Sequence, residues 1–184
     1  MIKTGLESRP TTPMNLESEI LKEHSKRNTI RLAKWIGGDK KRFKELMELF
    51  LKGEYRVTLR SAWILMHCAE MHPPLIIPYL DNMIERMLEP DVHVAVKRNV
   101  VRILEDIDVP EKLAGKVATL CFEFLASLGE PIAVKASCMT VLVNIARKEP
   151  ELKNELRLLI EQQMPWGSPG FRARGRKILK ELRD

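Results

Sequence analysis

A short segment occurs twice in nearly the same letters, as Lys26-Arg27-Asn28-Thr29-Ile30-Arg31-Leu32 and as Lys97-Arg98-Asn99-Val100-Val101-Arg102-Ile103. Fainter copies lie around it. Each has a basic anchor, an apolar residue three positions before it, and an apolar cluster from about three positions after. The anchors are Lys26, Arg60, Lys97, Lys135 and Arg174, spaced 34, 37, 38 and 39 residues apart. Val57, Val94, Ile132 and Phe171 hold the earlier apolar position, and Ile30, Ile64, Val101, Met139 and Ile178 the fourth position after the anchor. A period of this size means one supersecondary unit that cannot bury its apolar face alone and must stack on neighbours. That restricts the chain to a repeat architecture and its function to what a stack of units can do.

The apolar spacing is helical throughout, and no segment alternates as a strand would. It predicts anchor-bearing helices near 16–36, 55–71, 92–107, 131–148 and 169–183, with others near 40–52, 74–88, 110–127 and 151–164. Pro74, Pro110 and Pro150 open the intervening helices, and Pro90, Pro131 and Pro169 precede anchor-bearing ones, positions where a missing N–H is harmless. Asp39 and Asp91 are expected as N-caps, and Gly37-Gly38 and Gly53 as helix stops. Pro78, inside the 74–88 pattern, predicts a late start or a kink. The connections are short, so consecutive helices should lie antiparallel and side by side. The expected fold is an all-α superhelix of about nine antiparallel helices over residues 16–184, preceded by a flexible lead-in over 1–15.

Charge is unevenly placed. Of a net +6, residues 22–44 contribute +7 and residues 168–184 contribute +4, whereas residues 45–167 sum to −4. A duplex-binding groove is ordinarily basic along its whole length, because each phosphate contact needs its own cation. No apolar run is long enough for a membrane span, and the first fifteen residues lack the apolar core of a signal peptide. Cys68, Cys121 and Cys138, odd in number and each set in a helical apolar context, read as reduced core thiols of a cytoplasmic protein.

Sites of chemistry are sparse. His67, Cys68 and His72 are close in sequence, but the histidines are off one another's helix face and no Cys-x-x-Cys pair occurs, so no metal site is assigned. Cys121 and Cys138 read as small core residues, and Glu105, Asp106 and Asp108 as a helix-end cluster suited to pairing with cations. Gly37-Gly38 has none of the other residues of a phosphate loop. No catalytic residue and no cofactor is assigned.

The segment Glu89-Pro90-Asp91-Val92-His93-Val94-Ala95-Val96-Lys97, followed by Val100, Val101 and Leu104, resembles the second helix of a HEAT repeat. Glu130-Pro131-Ile132-Ala133-Val134-Lys135-Ala136 resembles a second copy and Val57-Thr58-Leu59-Arg60-Ser61-Ala62 a third, and the likeness extends over roughly 16–183. It implies two layers of antiparallel helices, with second helices on a concave side and anchor cations paired to acidic or carbonyl groups at the adjoining turn. Lys26, Arg60, Lys97, Lys135 and Arg174 are therefore expected to be structural before they bind anything.

One helical stripe, one, five and eight positions after each anchor, is the expected partner face. It carries Arg27 and Arg31 in the first unit and Arg98 and Arg102 in the third. In the second it reads Ser61, Leu65, Cys68, and in the fourth Ala136, Thr140, Val143. The expectation is a non-enzymatic protein-interaction scaffold that grips an acidic segment through Arg27, Arg31, Arg98 and Arg102, since guanidinium forks match carboxylates. Nucleic acid is the alternative partner. Some DNA glycosylases are HEAT-like, which implies tryptophans and a catalytic Asp on a basic face, yet no Asp joins two of Trp35, Trp63 and Trp166 on one face. A third route is self-association, with basic ends meeting the acidic middle of another copy and Leu179 and Leu182 leaving an apolar strip on the last helix.

Overall fold

Residues 14–183 are described by a computed structural model, and the lead-in expected over 1–15 lies outside them apart from Met14 and Asn15. The first predicted helix is two. α1 (Leu16–Lys22) ends at Glu23, and α2 (Lys26–Ile36) begins after Ser25, whose hydroxyl accepts from the Asn28 N–H at 3.1 Å. The Asn28 amide locks the bend by donating to the carbonyls of Glu19 and Glu23, at 3.0 and 3.1 Å.

The remaining helices are α3 (Lys40–Lys52), α4 (Tyr55–Met71), α5 (Leu80–Leu88), α6 (Val94–Asp106), α7 (Glu111–Ala126), α8 (Ile132–Ala146), α9 (Leu152–Gln163) and α10 (Pro169–Glu181). No strand occurs among the described residues. Asp39 caps α3 as expected, its carboxylate accepting from the Lys41 and Arg42 N–H groups. Both backbone hydrogen bonds hold its carboxyl below the ordinary 3.8. Asp91 is not a cap. It stands at φ 64°, a left-handed position that Asp tolerates in a turn, and the cap of α6 is His93, whose Nδ1 accepts from the Ala95 N–H. Gly37 ends α2 at φ 51°, and Gly53 ends α3 where a Cβ would lie 2.3 Å from the Leu49 carbonyl oxygen. Pro78 acts as expected: short 3₁₀ turns at Pro73–Leu75 and Ile77–Tyr79 precede α5, which starts only at Leu80.

The helices form two layers. α2, α4, α6, α8 and α10 pack successively side by side, and α3, α5, α7 and α9 each pack on the second helix that follows. α4 and α8 are the most enclosed. α4 buries Val57, Ile64, Leu65 and Cys68, and α8 buries Val134, Cys138, Met139 and Leu142. Core residues from every helix join one continuous apolar cluster between the layers, which is how a solenoid buries area that no single unit could. Val94 and Ile132, expected inside, are 43% and 39% exposed. Each is the first residue of its helix, ahead of the stacked portion, and Val96 and Val134 take the buried place.

Candidate protein-interaction face

The outward face of the second-helix layer does not keep one register. In α2 and α6 the exposed stripe carries Arg27 and Arg31, then Arg98 and Arg102, as the repeat spacing predicts. In α4 the equivalent positions Ser61, Leu65 and Cys68 are fully buried. That helix lies between α2 and α6 and on α3, so its outward stripe is turned to Arg56, Arg60, Trp63, His67 and Glu70. In α8, Val143 is buried while Ala136 and Thr140 are partly open. The basic residues of α2 and α6 are therefore separated by the width of α4.

The four arginines differ in what already holds them. Arg31 sits 2.5 Å from Glu19, and this guanidinium, with Lys22, holds the Glu19 carboxyl below its usual range. Arg102 donates to Glu105 at 2.9 Å. Arg27, with its side chain 89% exposed, has only Glu23 at 4.0 Å, and Arg98 has no ion-pair partner among the described residues. The Arg31–Glu19 pair lies at the surface and is individually weak, so that guanidinium remains open to competition, whereas the Glu105 that holds Arg102 is buried and shared with Arg174.

The anchor cations contact neighbouring units instead. Arg60 donates to the carbonyl oxygens of Ile20 and Leu21, both at 2.9 Å, closing the end of α1. Lys97 lies 2.5 Å from Glu130, in the turn before α8, and 4.5 Å over the Phe124 ring. Lys135 donates to the Gln163 Oε1 at 2.9 Å, and the Gln163 amide donates on to the Leu125 carbonyl at 3.0 Å. Arg174 meets Thr140 and reaches Glu105 at 3.4 Å. Lys26, at the start of α2, is exposed and makes no ion pair among the described residues.

Trp63, three positions after the Arg60 anchor, stands half-buried on the outward stripe of α4. His24 meets it edge-on at 5.6 Å and His67 lies at 6.5 Å. The 56, 60, 63, 67 spacing within α4 held this signal, and the anchor alignment hid it.

His67 Nδ1 pairs with Glu70 at 2.8 Å, while Cys68 points into the core, its thiol pushed up to about 12 by burial. The Cys121 thiol is raised by its contact with Cys138 and by burial. Both shifts oppose the thiolate that a nucleophile needs. All three cysteines are free and buried. Among the described residues no three His, Cys, Asp or Glu side chains gather as a metal site, and no helix is long and apolar enough to cross a membrane.

The paired helices in two layers are the organisation that the resemblance implied. No curated protein and no solved structure matches the chain. A family model described as a HEAT repeat domain matches residues 16–182, almost the whole described length. The chain belongs to the HEAT-repeat family.

Proposed function

We propose that this solenoid is a non-enzymatic, cytoplasmic interaction module whose second-helix face takes an acidic protein segment across α2, α4 and α6. HEAT repeats are helical scaffolds that typically mediate protein interactions. The observation that carries the acidic partner is the set of unpaired or weakly paired cations on that face, with Arg27 and Arg98 the most open and Arg56 exposed between them. Arg27 and Arg98 make the first carboxylate contacts. Arg31 exchanges Glu19 for a partner carboxylate at little cost, because surface pairs contribute only about 0–1 kcal/mol, whereas Arg102 keeps the buried Glu105 and offers the partner its remaining donors. Removing arginines at such a face weakens binding mainly by losing bidentate contacts.

Trp63 favours a second reading. A half-exposed indole on a stripe with Arg56, Arg60 and His67 is the combination of aromatic platform and cations that single-stranded nucleic acid stacks on. Fluorescence anisotropy with a labelled Glu/Asp-rich peptide and with a labelled single-stranded oligonucleotide separates the two. The expected result is peptide binding that weakens about tenfold or more in the Arg27→Ala/Arg98→Ala variant and little in Trp63→Leu. Tighter oligonucleotide binding, lost in Trp63→Leu, would overturn the protein-partner reading.

A further inference from the structure

The opposite layer carries a groove that neither the repeat register nor the basic face accounts for. α7 and α9 both pack on α8 but barely meet each other, and the space between them is open. Two concavities of about 510 and 610 Å³ run along it, and a third of about 550 Å³ continues it past the start of α7 to the ends of α6 and α8. The first and third share Glu111, Ala114, Ile145 and Glu149, and the first and second share Phe122, Glu123, Glu151 and Glu155, so they form one channel. α7, at 16 residues, gives it a wall about 24 Å long.

Its floor is apolar. Ala118 and Ile145 are buried, Phe122, Leu152 and Leu159 are half-buried, and Leu158 is 51% exposed. Gly115 leaves the wall open, since a Cβ there would meet nothing within 4 Å. The rim is acidic. Glu111, Glu123, Glu149, Glu151 and Glu155 are all exposed, and none forms an ion pair among the described residues. The cations at the deep end are already taken, Lys148 by Asp108 and Arg147 by Glu181. There the lining includes Glu105, whose side chain is 4% exposed and whose Oε1 has no hydrogen-bond partner among the described residues.

An apolar strip one helix wide, bordered on both sides by unpaired carboxylates, is complementary to a helix with an apolar face flanked by cations. We propose that this groove docks a basic amphipathic helix of a partner protein, so that the module binds an acidic segment on one layer and a basic helix on the other. A second copy of the chain does not fit. The open face of α10 and the turn after it present Arg172, Arg176, Lys180 and Arg183, but the large apolar residues of α10, Phe171 and Ile178, are already buried against its own stack. Leu179 and Leu182 are half-buried against the core as well. Such a face can neutralise the rim but leaves the floor uncovered.

The test uses the full chain and a labelled synthetic helix with Leu at helical spacing and Lys/Arg on its flanks, beside a scrambled peptide of the same composition. Three variants report on the two parts: Glu123→Gln/Glu151→Gln/Glu155→Gln for the rim, Leu158→Asp for the floor, and Arg27→Ala/Arg98→Ala as the control on the other layer. All lie at exposed positions, and unchanged circular dichroism establishes that each is folded. The expected result is binding of the patterned peptide that weakens about tenfold in the rim and floor variants, and holds in the control. Equal binding of the scrambled peptide, or no loss in the rim or floor variant, would overturn the groove as the site. So would a concentration-dependent oligomer of the chain that the patterned peptide displaces, because the occupant would then be another copy. Acidic-peptide binding in the rim variant is a separate readout, so failure of either face is told from failure of the other.

Discussion

Lys135 is a buried cation held by an amide and not by a carboxylate. At 5% exposure its ammonium is lowered below the ordinary 10.5 by burial, with Glu130 opposing the shift. Because the folded value lies below the unfolded one, the charged form opposes folding at neutral pH, and this penalty fades as pH rises through the depressed value. What keeps the residue is its stem and its bond to Gln163, which ties α8 to α9 and to the Leu125 carbonyl near the end of α7. Lys135→Met retains the stem and removes the desolvated charge, so it should change the unfolding free energy by only about 1 kcal/mol. Both variants remove the donor to Gln163, but Lys135→Ala also leaves a void and should cost about 2–4 kcal/mol. Urea denaturation of the two variants checks the contrast, and equal losses would mean that the charge itself is what matters. Asp39 behaves in the opposite sense. Its carboxyl is lowered, so its cap contributes above the unfolded value of 3.8 and is lost as pH falls through the folded one. Asp39→Ala should lower the urea midpoint at neutral pH, and the gap to wild type should narrow below 3.8.

At the scale of elements, most helices were legible because proline, glycine and apolar period agreed about where each begins and ends. The bend at Glu23-His24-Ser25 was not. It contains no glycine or proline, and the cations on both sides of it suit a continuing helix, so only Ser25 three residues before Asn28 marked a start. Asp91 misled for a related reason: Asp favours both a cap and a left-handed turn, and the choice depends on which side chain reaches the Ala95 N–H. The candidate face was legible where a helix sits as α2 and α6 do. It was illegible in α4, because the anchor spacing is blind to how far an enclosed helix turns between two neighbours. The groove between α7 and α9 had no sequence signature, since its rim glutamates come from two helices and a turn. Arg60 offers the element-scale prediction. Its two bonds to the end of α1 hold that helix on α4, and contacts in a solenoid reach only to adjacent units. Arg60→Ala should therefore speed amide hydrogen exchange in residues 16–22 and leave α8 unchanged, whereas uniform acceleration would show a single cooperative core.

Across the whole molecule, charge is sorted by layer. The second-helix face is basic through α2, α4 and α6, and the far layer is acidic between α7 and α9, which a net charge of +6 conceals. The period alone was enough to give the stacked architecture. The partner was not readable from it, because recognition depends on which cations remain free once the units have tied themselves together. Arg31, Arg102 and four of the five anchors all have intramolecular partners. The central claim, a basic face that binds acidic protein, is tested most directly by affinity capture from native lysate, with and without nuclease. Wild type is run beside the variant in which Arg27, Arg31, Arg98 and Arg102 are alanine. The account predicts acid-rich proteins that wild type recovers, that the variant loses, and that nuclease leaves untouched. Capture that nuclease abolishes, or that the variant retains in full, would contradict it.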